Sequence, residues 1–200
     1  MRLRFTRKSL RIALAWTHRL LFAGAVSVLA YCGFILIDAW RFQNAERRHF
    51  DQLLAPPTAL KTTPPPVVKG LIGRIEIARL GLSVMVMEGT SYSTLRRAVG
   101  HIAGTALPGQ PGNVGLSGHR DTFFRPLRNI RQNDIIRVTT LLGEYSYRVV
   151  STKIVSPADV SVLNPTEGEA LTLVTCYPFY FVGPAPDRFI VRAERVGDAS

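Results

Sequence analysis

The chain has 200 residues with two cysteines, a length that suits one ordinary domain plus appendages. Its formal net charge at pH 7 is +11, but ten of its 25 Lys and Arg residues fall in residues 1–66, beside three acidic residues. The remaining chain is only mildly basic, so we expect no nucleic-acid partner, which would require a concentrated basic patch.

An apolar run without charges, from Leu20 to Ile37, is long enough to cross a bilayer. Trp16 and Trp40 flank it like interfacial anchors. A secretory signal is excluded because the run is too long and lacks a good cleavage site, which leaves a buried core helix as the alternative. Basic residues crowd the N-terminal side and predict that this end stays in the cytoplasm: Arg2, Arg4, Arg7, Lys8, Arg11 and Arg19.

The first 66 residues therefore divide into three parts. We expect residues 1–19 to be cytoplasmic, residues 20–38 to be a single transmembrane anchor in the cell membrane, and residues 39–66 to be an extracytoplasmic stalk and linker. The stalk has weak helical spacing as far as Leu54, and we expect His49 within it to be solvated. The proline-rich residues 56–66 favour a semi-rigid spacer. A globular domain over 67–197 follows.

Short strand patterns recur through this domain, with one helix predicted over residues 91–99 and a helical turn over 123–130. Many short strands without βαβ alternation predict an all-β domain, an antiparallel barrel or sandwich. The predicted strands are 71–77, 82–87, 113–118, 134–140, 144–155, 171–175 and 188–196.

Cys176 lies at the end of one predicted strand, just before Pro178 stops it, and Arg188 begins the next strand. A thiol and a guanidinium placed in this way can face one pocket. The alternative is that Cys176 is a small buried hydrophobe. Because Cys32 lies in the membrane run, a disulfide between the two is not expected, and an unpaired thiol in an exported domain is a candidate reactive group.

Thiol catalysis also needs a proton donor and a stabiliser for the oxyanion. Outside the anchor the histidines are His49, His101 and His119. His101 opens a glycine-rich turn, where a loop-capping role is the favoured interpretation. His119 follows a glycine at a strand end, and two interpretations stay open for it: a catalytic histidine, or a histidine at the barrel rim whose hydrogen bonds are satisfied within the protein. No paired ligand spacing or phosphate-binding motif appears, so we expect no metal and no cofactor.

Three separated motifs carry a resemblance to a known family. Thr172-Leu173-Val174-Thr175-Cys176 resembles the TLxTC signature of the sortases, the membrane-anchored cysteine transpeptidases of bacterial surfaces, and Tyr177-Pro178-Phe179 resembles class D in particular. The run from Gly100 to Gly118-His119-Arg120-Asp121-Thr122 resembles the family's approach to its catalytic histidine. Arg188-Phe189-Ile190-Val191 resembles its catalytic arginine strand. The resemblance covers roughly residues 70–195.

The resemblance implies a closed eight-stranded sortase barrel with one or two short helices, after the transmembrane helix. It implies Cys176 as the nucleophile, His119 as the general acid and base, and Arg188 as the residue that holds the substrate or oxyanion. Thr175 and Tyr177 are implied substrate-binding residues, with an ordinary strand position as an equal alternative for Thr175. The 156–169 connection would then form a wall of the substrate groove.

The implied reaction is cleavage of an LPxTG-like sorting signal and transfer of the acyl fragment from Cys176 to an amine. The implied partners are secreted proteins with such a C-terminal signal, an amine acceptor on the cell wall or a surface protein, and the membrane. Two alternatives stay open, a mainly hydrolytic cysteine protease and a catalytically idle β-domain that binds a surface protein. Peptidoglycan amine, pilin lysine and water are not distinguished as acceptors.

Overall fold

A computed structural model describes residues 7–55, 70–181 and 183–197, with side chains from residue 11 onward. Its chain divides into two compact units, Met1–Arg41 and Phe42–Ser200. Helix α1 runs over Arg7–Leu54. In the first unit its large apolar side chains are exposed, and the helix is long and apolar enough to be a candidate membrane span. The predicted spacer, residues 56–66, lies outside the described residues.

Between residues 70 and 197, the described chain folds into eight strands that close a barrel in the order β1-β2-β3-β4-β7-β8-β6-β5. This confirms the predicted all-β class and the closed barrel. The strands are β1 (Leu71–Ile77), β2 (Leu82–Glu88), β3 (Val99–His101), β4 (Asn113–Ser117), β5 (Ile135–Thr140), β6 (Gly143–Val155), β7 (Ala170–Tyr177) and β8 (Asp187–Arg195).

Short helices fill some of the connections. Helix α2 spans Tyr92–Arg97, and its N-cap is Ser91, whose hydroxyl accepts a hydrogen bond from the Thr94 backbone at 3.2 Å. Single 3-10 turns cover Ala78–Leu80, Arg125–Asn129 and Val160–Leu163. The last of these lies inside the 156–169 connection.

Two strand pairs in the barrel are parallel, β2 with β3 and β4 with β7. The first departs from the sequence expectation of no βαβ unit, because residues 89–98 make a crossover through α2. The helix was predicted over residues 91–99, but β3 was not, because a strand of three residues is too short to show an alternating pattern. The β4–β7 pair joins segments that are far apart in the chain, so the local sequence pattern of either strand does not predict the pairing. This second pair positions the functional site.

The barrel interior is filled by alternate residues of the strands, as a period of two requires. Side chains that are buried in this way come from both halves of the domain: Ile75, Ile77, Val84, Val86, Val114, Leu116, Val138, Tyr147, Leu171, Leu173, Val191 and Ala193. The residues that alternate with these along each strand therefore lie on the outer face of the barrel wall. This alternation decides which side chains can reach a substrate.

The C-terminal part of α1 is bonded to the barrel. Gln43 donates from Nε2 to the Arg97 carbonyl at 2.6 Å, and its Oε1 accepts from the Met85 backbone at 2.9 Å. Arg47 donates from Nη2 to the Ser83 carbonyl at 3.0 Å. These bonds satisfy polar groups on α2 and β2, so this stretch of helix is part of the domain's packing.

Phe50 makes the main apolar contact of this helical stretch, since its side chain is 0% exposed. The Arg74 guanidinium lies 5.8 Å from the Phe50 ring centroid and donates to Asp51 at 2.9 Å. His49, which the sequence analysis expects to be solvated, is half-buried here. A stalk helix was predicted, but the burial of Phe50 was not, because one aromatic residue in a weakly periodic stretch gives little signal.

Removal of residues 1–41 is expected to leave a more stable domain than removal of residues 1–66, because only the first truncation keeps Phe50. Burial of one phenylalanine contributes about 1.5–3 kcal/mol. Urea unfolding midpoints of the two truncated proteins measure the difference. As a matched pair in the longer protein, Phe50→Ala should lower the midpoint, whereas Leu54→Ala, at an exposed position, should not. Equal midpoints for the two truncations would contradict this packing.

An ion pair between Arg79 and Asp134 also stabilises the barrel. The guanidinium of Arg79 donates to both carboxylate oxygens of Asp134, and the Arg131 backbone donates to Oδ2 at 2.8 Å. These bonds, led by the one from Arg79, lower the pKa of the buried Asp134 carboxyl against the opposing effect of burial. The pair fastens the turn after β1 to the start of β5.

Asp134→Asn is expected to destabilise the domain at neutral pH and to matter progressively less in acid. Because the folded-state pKa of Asp134 is lowered, its stabilisation is present above the unfolded value of about 3.9 and is lost as the pH falls through the folded value. Thermal unfolding of parent and variant from pH 7 to pH 2.5 tests this. A gap in Tm that stays constant over that range would show that the ionised carboxylate is not the stabilising species.

Candidate active site

The parallel pairing of β4 with β7 carries His119 and Cys176 to the same end of the barrel wall. Ser117 is the Cα partner of Val174, and the Gly118 backbone donates to the Val174 carbonyl at 3.2 Å. Strand β4 ends at Ser117; continued for two residues beyond it, the same register would set His119 opposite Cys176. The two residues therefore lie at the same ends of neighbouring strands.

Arg188 reaches the same place from the other side of β7. In the antiparallel β7–β8 ladder, Cys176 and Arg188 are Cα partners. Leu173 on β7 and Val191 on β8 point into the core, so Cys176 and Arg188 belong to the opposite, outer face. The chain at His119 thus runs on one side of Cys176, and Arg188 lies on the other side, as its Cα partner.

All three side chains are half-buried, so each packs on the barrel and remains accessible from outside. Cys176 is a free thiol, as is Cys32 in α1. The core behind them is apolar and tightly filled. The Cys176 sulfur therefore has the apolar core on one side and is accessible to solvent on the other, which suits a nucleophile.

The chain before His119 is held rigidly by the ring of Phe124, which is completely buried. A Cβ atom added at Gly118 would come within 2.8 Å of this ring, so glycine is required for the close approach. The Phe124 backbone in turn donates to the His119 carbonyl at 3.0 Å. The backbone at His119, just after the end of β4, is therefore held in place by Phe124.

Thr175 supports this arrangement from inside the wall. Its side chain is 2% exposed, and its hydroxyl donates to the Gly118 carbonyl at 2.7 Å. This favours the ordinary strand position that the sequence analysis left as an equal alternative to substrate binding, because the strand alternation turns Thr175 toward the interior with Leu173. The bond ties the residue before the thiol to the residue before the imidazole.

Tyr177, the other residue implied to bind substrate, belongs to an aromatic cluster at the rim of the barrel. Its ring stacks on Phe189 with centroids 6.4 Å apart and meets Phe179 edge-on at 6.1 Å. Phe179 and Phe189 pack against the core. Tyr177 is half-buried, so part of its surface remains exposed.

Arg188 is oriented by backbone carbonyls next to it in the chain. Its Nη1 donates to Asp187 at 3.0 Å and to Ala185 at 3.3 Å. Both bonds use the same nitrogen of the guanidinium fork. Among the described residues, the other two guanidinium nitrogens of Arg188 have no hydrogen-bond acceptor, so they can donate to a ligand.

Sequence reasoning missed Arg120, which directly follows His119 and is only 7% exposed. Its guanidinium donates to the carbonyls of Pro178 at 3.0 Å, Phe181 at 2.7 Å and Gly183 at 3.0 Å. The acceptors belong to the connection between β7 and β8. A buried guanidinium of this kind has no pattern of its own in the sequence, because its partners are main-chain atoms.

His101 is committed to a structural network. It is 3% exposed, and its two ring nitrogens lie 3.0 Å from Glu88 Oε2 and 3.0 Å from the Ala106 carbonyl. Thr105 joins the same network and also accepts from the Gly115 backbone at 3.0 Å. This supports the loop-capping interpretation over a chemical one, because neither ring nitrogen is left for a substrate.

A cavity of about 310 Å³ lies further along the outer face that carries Cys176. Ile190 and Arg192 of β8 line it together with Lys153 of β6 and residues of the 156–169 connection, among them Val162. Burial lowers the pKa of Arg192, with Glu194 acting in the opposite direction. Among the described residues, no group of three or more His, Cys, Asp and Glu side chains is placed to hold a metal ion.

Comparison with characterised proteins agrees with this architecture. A sortase-domain family model matches residues 75–196. Sortase D of Bacillus subtilis (strain 168) is 40% identical over 125 residues, which cover 62% of this chain and 63% of that protein. Sortase A of Listeria monocytogenes is 30% identical over 110 residues, 53% of this chain and 49% of that protein. The match thus spans less than two thirds of either relative.

Among solved structures, the sortase D5 transpeptidase of Clostridium perfringens superposes with a TM-score of 0.64 at 27% identity, over 78% of this chain and 97% of that chain. The sortase barrel and the resemblance to class D are therefore confirmed. Because the family model covers residues 75–196, more than half of the 200 residues, the chain belongs to the sortase family.

Proposed function

We propose that this protein is a membrane-anchored cysteine transpeptidase. It cleaves an LPxTG-like sorting signal and transfers the acyl fragment from Cys176 to an amine. The observation that carries the proposal is the strand register, which pairs Cys176 with Arg188 and ends β4 two residues before His119 on the other side of Cys176. Those three groups supply a nucleophile, a proton carrier and an oxyanion donor.

In the first half-reaction the Cys176 thiolate attacks the carbonyl carbon of the scissile peptide bond. The carbonyl oxygen becomes an oxyanion, to which the free nitrogens of Arg188 can donate hydrogen bonds. The C–N bond then breaks, and His119 gives a proton to the departing amine. The products of this step are a thioester on Cys176 and the released C-terminal peptide.

In the second half-reaction an acceptor amine attacks the thioester carbonyl. His119, which is now neutral, takes the proton that the amine loses. The C–S bond breaks, the thiolate of Cys176 returns, and a new amide bond joins donor and acceptor. Water entering in place of the amine gives hydrolysis, so the outcome depends on how well the acceptor competes.

The outer face of the barrel offers a path for the extended substrate. Ile190 lies two residues along β8 from Arg188, about 7 Å away at the usual rise of a strand. The cavity under the 156–169 connection begins there and has both apolar and polar walls, including Val162 and Ile190. An extended peptide held in it would present the bond that follows to Cys176.

We propose the cell membrane as the location, with one pass through the bilayer. The exposed apolar side chains of α1 in the first unit suit lipid contact, and the basic N-terminal residues favour a cytoplasmic N-terminus. Residues 1–19 are then cytoplasmic, residues 20–38 form the anchor, residues 39–66 form the stalk and linker, and residues 67–197 form the catalytic domain.

The proposal is tested with a peptide carrying an LPxTG-like signal, with and without a small amine such as hydroxylamine. The parent should give the acyl–amine product, because the amine competes for the thioester. Cys176→Ala should abolish both cleavage and transfer with Tm little changed, since the lost sulfur leaves at most a small cavity at the rim. Cys32→Ala is the matched control and should remain active. Hydrolysed peptide alone at saturating amine would favour a protease instead.

Arg188→Lys is expected to lower kcat/KM by about 10²- to 10³-fold although it keeps the charge. Arginine offers several donors in a planar fork, whereas lysine is one flexible and strongly hydrated point charge. Arg148→Lys, at an exposed position on β6, is the control and should be close to the parent. Steady-state kinetics on one peptide provide the measurement. An Arg188→Lys variant within about threefold of the parent would place Arg188 outside the reaction.

A further inference from the structure

The connection between β7 and β8, residues 178–186, links the Cys176 strand to the Arg188 strand. Phe179 near its start packs against the core, but the next two residues are exposed, Tyr180 by 76% and Phe181 by 44%. Loops with so few apolar contacts are usually mobile. Yet the geometry of the site requires this connection to be well placed, because it leads directly to Arg188.

Hydrogen bonds from arginine compensate for the missing apolar contacts. Arg120 donates to the carbonyls of Pro178, Phe181 and Gly183, in the first two thirds of the connection. Arg188 donates to Ala185 in the last third. The Arg120 guanidinium also lies 5.9 Å from the Phe181 ring centroid. Two guanidinium groups thus share the backbone of one loop.

The position of Arg120 makes it the more permanent of the two anchors. It is almost fully buried, and the carboxylate near it, that of the exposed Asp121, lies 3.6 Å from its Nε. A buried cation needs its hydrogen-bond partners, so leaving the three carbonyls would be costly. Arg188, in contrast, is half-buried and uses a single nitrogen for its two carbonyls.

We propose that Arg120 is a positioning residue that ties the β7–β8 connection to the strand end bearing His119. Through this tie it sets the place of Arg188 relative to Cys176. The inference rests on the proposed function for its catalytic consequence. When Arg188 turns its donors toward an oxyanion, its own bonds to the loop weaken, and the bonds from Arg120 keep the connection in place.

Lysine cannot replace Arg120 in this role. Three carbonyls from one loop need donors spread over a planar fork, and a single ammonium on a flexible stem does not span them. Arg120→Lys keeps the charge and most of the buried stem, so it removes the tie with little loss of packing. Arg128 offers a matched control, because it is exposed and contacts the same connection by donating to the Tyr180 hydroxyl at 2.7 Å.

The experiment compares Arg120→Lys with Arg128→Lys in the full chain. Hydrogen–deuterium exchange should become at least about tenfold faster over residues 178–186 in Arg120→Lys and stay unchanged in Arg128→Lys. In peptide transfer, kcat of Arg120→Lys should fall at least tenfold with KM within about threefold, because a misplacement of about 1 Å can cost up to about 10²-fold in rate. Arg128→Lys should stay within about twofold of the parent.

A double variant separates positioning from a general loss of stability. If Arg120 acts through Arg188, adding Arg120→Lys to Arg188→Lys should reduce kcat by much less than it does in the parent. Multiplicative losses, unchanged exchange, or an unchanged kcat in Arg120→Lys would each overturn the inference. Absence of transfer by the parent would refute the proposed function instead, and the exchange measurement would still decide whether Arg120 ties the loop.

Discussion

The site depends on the register of three adjacent strands, β4, β7 and β8. Parallel pairing of β4 with β7 carries His119 and Cys176 to the same end of the wall, and antiparallel pairing of β7 with β8 makes Cys176 and Arg188 Cα partners. A slip of one residue in either ladder would turn a side chain to the opposite face of the wall. The buried leucines of β7 oppose such a slip, because it would expose them. Packing of the hydrophobic core therefore determines which side chains of β7 and β8 lie on the outer face at the rim.

Short hydrogen bonds reinforce the register where the strands end. Thr175 bonds to the Gly118 carbonyl, and Phe124 packs against Gly118, so the segment before His119 is held from two sides. Arg120 then extends the support to the loop that leads to Arg188. Thr175, Phe124 and Arg120 therefore support the segments that carry the residues proposed to act on the substrate. Preorganisation of this kind is what oriented donors need in order to stabilise a transition state.

Much of this was accessible from the sequence. Strand periodicity and turn residues predicted most strands, including the pair that carries Cys176 and Arg188. The inward position of Thr175 was also predictable in principle, since it shares the parity of Leu171 and Leu173 along β7. The role of Arg120 was not, because its acceptors are backbone carbonyls 58 to 63 positions away. Nor was the burial of Phe50, which depends on where the helix meets the barrel.

Intact-mass spectrometry shows most directly whether Cys176 carries the acyl group during the proposed reaction. The full chain is mixed with a sorting-signal peptide in the absence of an added amine and quenched in acid. If Cys176 carries the acyl group, the mass of the protein should increase by that of the N-terminal peptide fragment. The increase should map to Cys176 after digestion and should be removed by hydroxylamine. Cleavage of the peptide with Cys176 unmodified at every quench time would contradict it.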